Sequence, residues 1–277
     1  TEAALIFNSG YQANIGLLPI LATRGDVIFS DTLNHASLID GVRLSKAKKE
    51  LYSHHDVKAL EKALKKAKEA RRRWIVIEGV YSMEGDITPL PEILDLAEKY
   101  EAYVYLDEAH GIGVFGKEGR GMVEYFTDLG YALKTDRLWQ MGTFGKALGC
   151  FGAYIAGHQK WMDYVVNACR SFVFTTAMPP PVLGAIQKAV EIVPQESERR
   201  KRLWQWVKMF KGISPIIPIV MGSEQAALHI SQKLLTEGFF VQAIRPPTVP
   251  RGTSRLRFTL SASHTQEHIV ALKKVLE

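Results

Sequence analysis

The sequence predicts an α/β fold, in which helices sandwich a mainly parallel sheet, followed by a smaller α+β domain. Short apolar runs alternate with helical patterns through residues 1–190, which is typical of parallel strands joined by helical crossovers. Beyond Pro194 this regular alternation is lost. We therefore expect a large domain over residues 1–190 and a small domain over residues 191–277.

The elements of the large domain follow from the spacing of apolar residues. Val57, Leu60, Leu64 and Ala67 recur at the interval of a helix, which predicts a helix with one buried face. Residues 74–80 form a short apolar run, which is typical of a buried strand. The same patterns predict helices at 91–100, with Pro91 near its start, and at 159–171, and strands at 103–106, 137–142 and 151–156.

The small domain and the expected site follow in the same way. Ligands of open parallel sheets bind beyond the carboxyl ends of the strands. Because Ser82, Asp107 and Lys146 each follow an apolar run, we expect them to converge at one edge. The predicted elements of the small domain are helices at 197–211, at 224–237 and from 265 onward, and strands at 215–220, 239–244 and 255–260.

The composition is that of an ordinary globular protein, with 47% hydrophobic and 23% charged residues. No apolar run approaches the length of a membrane span, so no membrane partner is expected. Two cysteines, Cys150 and Cys169, are too few for a disulfide framework, which favours a reduced, cytoplasmic setting. The net charge of +6 includes basic clusters at 71–73 and 199–202, interpreted as solvated helix faces. No recognised motif accompanies them, so no nucleic-acid partner is expected.

Two motifs suggest nucleotide binding but lack the context that it requires. Residues 107–110 match the DEAH box of helicases, yet the chain has no phosphate-binding loop. A phosphate-binding loop that ended at Gly145-Lys146 would need glycine at position 140 and serine or threonine at position 147. The chain has Gln140 and Ala147 there. Residues 111–116 match G-x-G-x-x-G but do not open a helix directly after a strand. We interpret them as a chance match or as a glycine-rich active-site loop.

Lys146 lies within residues 143–149, Thr-Phe-Gly-Lys-Ala-Leu-Gly, between two strands that are expected to be buried. We expect burial to favour the neutral form of its amine, which is the form that reacts with an aldehyde cofactor. Its small neighbours would let a flat ring approach closely. Lys146 is therefore the candidate for a covalent bond to such a cofactor.

Two further clusters are ambiguous when they are taken alone. His35, within Asn-His-Ala-Ser at 34–37, is as a single loop histidine more typical of a structural residue. Arg255 and Arg257 share one face of a predicted strand. Exposed arginines are common, but a pair beside an apolar strand could bind a carboxylate bidentately.

Five stretches of the chain together resemble the α-oxoamine synthase family of fold-type I pyridoxal-phosphate enzymes. A single short motif would be weak evidence, whereas these occur in family order and extend over nearly the whole chain. The resemblance implies an aspartate-aminotransferase-like fold and bound pyridoxal phosphate. The stretches are Asn-Ser-Gly-Tyr-Gln-Ala-Asn at 8–14, Asp-Thr-Leu-Asn-His-Ala-Ser at 31–37, Glu-Gly-Val-Tyr-Ser-Met-Glu-Gly-Asp at 78–86, Leu-Asp-Glu-Ala-His-Gly at 106–111 and residues 143–149.

The resemblance also implies a role for each matching residue. Lys146 would bind the cofactor aldehyde as a Schiff base and later act as general base. Asp107 would pair with the ring nitrogen, and His110 would hydrogen-bond the phenolic oxygen of the ring. His35 would stack on the ring and contact the substrate. For the cofactor, the remaining implied contacts are Gly10, Tyr11, Ser82 and Thr143, and Thr143 would contact the phosphate. For the substrate they are Thr248 and Arg257, and Arg257 would contact the carboxylate. No contact to a metal is implied.

Within the family, residues 243–250 and 252–257 most resemble the members that act in biotin synthesis. These condense L-alanine with a pimeloyl thioester, carried by CoA or a carrier protein, to give 8-amino-7-oxononanoate, CO₂ and free thiol. A sister acyltransferase that uses glycine and acetyl-CoA is the alternative. A non-catalytic module would be a different class, and the presence of both Lys146 and Asp107 argues against it. The resemblance also implies a homodimer with its sites at the subunit interface.

The chain departs from the family pattern in three places. It begins where relatives already have an N-terminal segment, so that segment is expected to be absent. Residues 209–215 pass directly from helix to strand, where relatives carry more chain. Gly145 stands where many relatives have serine, which would remove one contact to the cofactor phosphate.

Overall fold

The computed structural model describes residues 1–276, and the chain divides into two compact units. The first unit comprises Thr1–Tyr81 and Thr88–Ser197, and the second comprises Ser82–Ile87 and the residues after Ser197. Sequence patterns place the domain boundary at 190 and 191, and that placement stays a prediction. No helix within residues 1–276 is long and apolar enough to cross a membrane.

The first unit is built on a seven-stranded sheet with strand order β1-β7-β6-β5-β4-β2-β3. β2, β3, β4, β5 and β6 run parallel, and β7 pairs antiparallel with both β6 and β1. The predicted mainly parallel α/β fold is thereby confirmed. The strands are β1 (Ala3–Phe7), β2 (Val27–Asp31), β3 (Lys48–Tyr52), β4 (Arg73–Glu78), β5 (Tyr103–Asp107), β6 (Leu138–Thr143) and β7 (Ala153–Gly157).

Helices surround this sheet, and several begin at side-chain caps. Ser9 accepts a hydrogen bond from the amide of Gln12 at the start of the first helix. Asp56 accepts one from the amide of Ala59 at the start of the third. The helices of the first unit are α1 (Gly10–Leu21), α2 (Ala36–Leu44), α3 (Val57–Lys66), α4 (Leu90–Lys99), α5 (Met122–Asp128), α6 (Gln159–Ala168), α7 (Arg170–Val173) and α8 (Pro180–Gln195).

The core of the first unit lies where α1 packs on the central strands. Leu17 and Leu18 of α1 are fully buried in one cluster with Ile28, Val76 and Tyr105. Strands buried on both faces are apolar without interruption, which is why residues 74–80 gave no alternating pattern. This packing fixes the start of α1 relative to the ends of the strands.

The second unit contains a three-stranded antiparallel sheet with strand order β8-β10-β9. Leu256 and Phe258 of β10 are buried against Leu234, Val241 and Leu272. The elements are α9 (Ser197–Met209), β8 (Ile216–Gly222), α10 (Glu224–Thr236), β9 (Gln242–Ile244), β10 (Ser254–Thr259) and α11 (Gln266–Leu276).

The predicted elements are found with shifts of one or two residues at several ends, and three differences have a structural cause. The strand predicted at 74–80 ends at Glu78, where the chain turns away from the sheet. The helix predicted at 159–171 is interrupted at Cys169, which separates α6 from α7. The strand predicted at 239–244 is shortened to three residues, Gln242–Ile244, because β9 is an edge strand that pairs only with residues 255–257 of β10.

Candidate active site

The carboxyl edge of the large sheet gathers the polar ends of several strands. In the strand register Glu78 lies opposite Asp107, and Asp107 lies opposite Met141. Thr143 lies opposite Ala153, which in turn lies opposite Phe7 at the end of β1. The start of α1 therefore lies at the same edge as the ends of β4, β5 and β6. This is the position at which open α/β sheets bind ligands.

Asp107 is a buried carboxylate held by neutral donors. Its Oδ2 accepts a hydrogen bond from Asn14 Nδ2 at 2.9 Å, and its Oδ1 accepts from the amide of Ala109 at 2.9 Å. Burial raises the pKa of Asp107, while the Asn14 hydrogen bond and the charges of Lys146 and His35 act in the opposite direction. Asp107 makes no ion pair within residues 1–276. A basic, desolvated carboxylate of this kind binds a protonated nitrogen strongly.

Lys146 lies in the turn that joins β6 to β7. Its carbonyl accepts a hydrogen bond from the amide of Gly149, and the amide of Phe144 donates to the carbonyl of Gly152, which closes the loop. Lys146 is exposed, so the prediction that it is buried is wrong. The flanking strands are largely buried, but the turn extends beyond the edge of the sheet.

The amine of Lys146 has a specific neighbour in His110. Lys146 Nζ lies 2.9 Å from His110 Nε2, and His110 follows β5 by three residues. Asp107 and Lys146 thus lie at the edge that their positions after apolar runs predicted, and His110 lies beside Lys146; Ser82, the third residue expected there, belongs to the second unit. Their roles toward a cofactor stay predictions.

His35 caps α2, and its Nδ1 lies 2.8 Å from Ser37 Oγ. Its backbone amide donates to Glu78 Oε1 at 2.5 Å. Loss of solvent around the ring lowers the pKa of His35, although the Asp107 carboxylate opposes this shift. A neutral imidazole in this position is suited to stack on a flat ring, which the sequence alone left open.

Three predicted cofactor contacts lie at the same edge. Gly10 and Tyr11 form the first turn of α1, where amides have no acceptor within the helix and favour anions. The hydroxyl of Tyr11 donates to Asp40 Oδ2 at 2.5 Å, so its proton is already used within the protein. Thr143 Oγ1 donates to the carbonyl of Gly152 at 2.9 Å and accepts from the amide of Gly145 at 3.2 Å. Its contact to a phosphate stays a prediction.

The other predicted contacts belong to the second unit. Arg257 Nε donates to the carbonyl of Ser82 at 2.6 Å, and burial lowers the pKa of Arg257. Thr248 is exposed in a turn, where its amide donates to the carbonyl of Arg245. The sequence alone left Arg255 open between an exposed arginine and one member of a carboxylate-binding pair; Arg255 is buried, and its Nη1 pairs with Glu84 Oε1 at 2.9 Å. Arg257 remains the candidate for a substrate carboxylate.

The G-x-G-x-x-G segment surrounds acidic side chains of the protein itself. Glu108 Oε1 accepts from the amide of Met122, the first residue of α5, at 2.8 Å. A side chain at Gly111 would collide with Glu108 Oε2, and Gly121, at φ 96°, approaches the same carboxyl. Glu124 accepts from the amides of Glu118 and Arg120. The glycines therefore accommodate carboxyl groups of the protein itself, the buried one of Glu108 and the partly buried one of Glu124, and the dinucleotide interpretation is not supported.

Glu108 gives the first prediction, which concerns pH. Burial raises the pKa of Glu108 to about 8 from a reference value of 4.5. Because the folded state holds this proton more tightly than the unfolded state, stability is full below pH 4.5 and falls as pH rises to about 8. We expect Glu108→Gln to remove the part of this stability loss that comes from ionising Glu108. The melting temperature of the variant should fall by about 5 °C less than that of wild type between pH 5.5 and 8.5.

The matched control is Glu191→Gln, since Glu191 is exposed on α8. Its melting temperature should follow that of wild type at both pH values. Equal pH slopes for Glu108→Gln and wild type would show that Glu108 does not hold its proton in the folded protein.

Sequence reasoning gave no role to three buried residues that support the site. Asn14 bonds Asp107, Ser37 contacts His35, and Tyr105 OH donates to Asn14 Oδ1 at 2.8 Å. A signal was present, because Asn14 is a polar residue on the buried face of α1 beside Leu17. Its partners could not be read from the sequence, because they lie on β5 and α2.

Comparison with known proteins gives a consistent result. The chain matches the aminotransferase class I and II family over residues 1–276. A putative 8-amino-7-oxononanoate synthase of Geobacillus kaustophilus is 47% identical over 280 residues, spanning 97% of this chain and 71% of that protein.

Solved structures match over almost the whole chain. SPT (serine palmitoyltransferase) with its PLP internal aldimine has a TM-score of 0.91 at 32% identity, covering 99% of this chain and 71% of the other. The 8-amino-7-oxononanoate synthase of Francisella tularensis has a TM-score of 0.84 at 30% identity, covering 98% and 81%. The chain therefore belongs to the aminotransferase class I and II family and, within it, to the α-oxoamine synthases that its sequence stretches resemble.

Proposed function

We propose that the protein is a pyridoxal-phosphate-dependent acyltransferase that condenses L-alanine with a pimeloyl thioester. The products are 8-amino-7-oxononanoate, CO₂ and the free thiol. The observation that carries the proposal is Asp107, a buried carboxylate with no ion-pair partner within residues 1–276, in the same unit as the amine of Lys146. Burying such a charge without a cation is costly, and the protonated ring nitrogen of the cofactor would supply that cation.

The other side chains at the sheet edge fit the same cofactor. Lys146 offers a primary amine for its aldehyde, and His110, beside that amine, offers a donor for its phenolic oxygen. The first amides of α1, at Gly10 and Tyr11, would favour its phosphate. When bound, pyridoxal phosphate supplies an aldehyde that condenses with amines and a ring that draws electrons from the bond being broken.

The residues of the chain supply orientation and proton transfer. Lys146 Nζ, once released by the amino group of alanine, would take the proton from the alanine Cα and return one after CO₂ leaves. His110 Nε2, 2.9 Å away, is placed to orient that amine. Asp107 would hold the proton on the ring nitrogen, and its raised pKa strengthens that bond. His35 would cover the ring face.

The substrate contacts are assigned to the second unit. Arg257 would bind the carboxylate of alanine, and Thr248 would contact the acyl substrate. Relatives that are 43–47% identical are named for 8-amino-7-oxononanoate synthesis, which supports alanine and pimeloyl thioester as substrates. The carrier is CoA or an acyl-carrier protein.

A homodimer is part of the proposal, and exposed apolar side chains of the first unit support it. Phe151 is 57% exposed and Phe174 is 74% exposed, which is unusual for large aromatic residues in a monomer. Helix α8 buries Ile186 with Phe144 of the Lys146 loop, while Val190 of the same helix is 51% exposed. A second subunit on this surface would also cover Lys146. The free thiols of Cys150 and Cys169 favour a cytoplasmic location.

A panel of substrates tests the assigned reaction. Purified protein loaded with pyridoxal phosphate is assayed for thiol release with pimeloyl-CoA, acetyl-CoA and palmitoyl-CoA, each with alanine, glycine and serine. We expect kcat/KM for pimeloyl-CoA with alanine to exceed that of every other pair by at least about 100-fold. A preference for acetyl-CoA with glycine would assign the sister activity, and one for palmitoyl-CoA with serine would assign the activity named for the SPT structures.

A further inference from the structure

The side chain of Asn14 connects two of the residues assigned to the cofactor. Its Nδ2 donates to Asp107 Oδ2 at 2.9 Å and to Ser37 Oγ at 2.9 Å. Its Oδ1 accepts from Tyr105 OH at 2.8 Å. Asn14 and Tyr105 are fully buried, and Ser37 is 2% exposed. Both protons of the amide and its oxygen are thus used inside the protein, away from water.

The direction of each hydrogen bond follows from Asp107. An ionised carboxylate only accepts, so the amino end of the Asn14 amide faces Asp107, and the Tyr105 hydroxyl at the other end donates to Oδ1. Tyr105 lies two residues before Asp107 on β5, on the same face of the strand. The strand that carries the carboxylate therefore also carries the group that orients its donor.

The same chain of bonds continues to His35. The amide of Ser37 donates to His35 Nδ1 at 3.3 Å, so Nδ1 is an acceptor and the proton of the neutral ring lies on Nε2. Ser37 Oγ, which accepts from Asn14, lies 2.8 Å from Nδ1 and directs its own proton there. Asn14 thereby acts on the orientation of His35 without touching it.

We infer that Asn14 is a positioning residue, which holds the Asp107 carboxylate toward the cofactor ring and, through Ser37, keeps the His35 proton on Nε2. The inference rests on the proposed function, which assigns pyridoxal phosphate as the group that Asp107 and His35 would contact. The network itself lies within the first unit and is independent of that identity.

The substitution that introduces a carboxyl group at Asn14 gives the sharpest test. Asn14→Asp has nearly the same shape but places an acceptor, and at neutral pH a second negative charge, against Asp107 Oδ2. Carboxyl groups in contact favour a shared proton, which would leave Asp107 unable to bind a cationic ring nitrogen. We expect the dissociation constant of pyridoxal phosphate to rise about 100-fold in Asn14→Asp and about 10-fold in Asn14→Ala. We also expect kcat of Asn14→Ala to fall while KM for the amino acid changes little.

Ser37→Ala separates the two branches of the network. It removes the hydroxyl between Asn14 and His35 but leaves the Asn14 bond to Asp107. We expect cofactor affinity to stay within about 3-fold of wild type, because the Asp107 branch is intact. In contrast, long-range ¹⁵N NMR of histidine-labelled protein should show His35 Nδ1 shifting toward its protonated value. His35→Gln identifies the resonance among the eight histidines.

Controls keep each outcome decisive. Asn167→Asp makes the same substitution on the exposed surface of α6 and should change neither measurement. If Asn14 variants fail to fold, Tyr105→Phe, which removes the donor to the buried Asn14 Oδ1, should still weaken cofactor binding about 5-fold. Wild-type values for both cofactor affinity and the His35 resonances in Asn14→Asp or Tyr105→Phe would overturn the inference. Failure of wild type to bind the cofactor would instead reject the proposed function, while the His35 resonances would still decide the network.

Discussion

Lys146→Ala is expected to reduce turnover by at least about 10⁵-fold and to remove the visible absorbance of the covalently held cofactor. The variant lacks the amine that lies 2.9 Å from His110 Nε2. It loses both the covalent bond to the cofactor aldehyde and the group that takes the proton from Cα. Steady-state thiol release and an absorbance scan of the purified protein measure the two effects.

Folding and cofactor binding of this variant should be preserved. Lys146 lies in an exposed turn closed by backbone hydrogen bonds, so alanine there leaves the loop and its packing intact. Lys160→Ala, on the exposed surface of α6, is the matched control and should keep both the absorbance and the turnover of wild type. Near-normal turnover in Lys146→Ala would reject the assignment of the site.

Asp107→Asn is expected to lower kcat by at least about 10³-fold, which corresponds to about 4 kcal/mol of activation free energy. Both carboxylate oxygens accept from donors, Oδ2 from Asn14 Nδ2 and Oδ1 from the amide of Ala109. An asparagine must therefore point its own amino group at one of these donors. The substitution removes the charge that holds the proton on the ring nitrogen and also leaves a buried donor without an acceptor.

Cofactor binding and turnover should separate in Asp107→Asn. The lysine and the start of α1 are unchanged, so cofactor should still be bound at high concentration. We expect the dissociation constant of pyridoxal phosphate to rise about 10-fold or more, while turnover falls much further. Asp163→Asn on the exposed surface of α6 is the control. Wild-type turnover in Asp107→Asn would remove the electrostatic role of this carboxylate.

The parallel sheet and its active edge were predictable because they depend on local patterns. The buried strand β4 contains an apolar run, Asp107 is the last residue of β5, and Lys146 comes three residues after the end of β6. The short motifs indicated the roles of individual residues, because the five stretches occur in the same order as in the family. The predicted boundaries were less accurate for β9. Its length is set by pairing with β10, and no local sequence signal marks where that pairing begins.

Contacts between distant segments were not predictable from the same patterns. Nothing in residues 255–257 indicates that Arg255 is paired with Glu84, which lies 171 positions earlier. Likewise, Asn14 lies 93 positions from Asp107, and in its helix the family resemblance gave roles only to Gly10 and Tyr11. The exposure of Lys146 shows the same limit, because burial of a turn depends on what packs outside the chain.

Reduction of the wild-type protein with borohydride, followed by peptide mapping, tests the identity of the reactive amine most directly. Borohydride makes the bond between the cofactor and its lysine permanent, so the modified peptide identifies the residue. The structure predicts a single labelled peptide that contains Lys146, and no label at that peptide in Lys146→Ala. Labelling of a different lysine, or no labelling of protein that has been saturated with pyridoxal phosphate, would contradict the assignment.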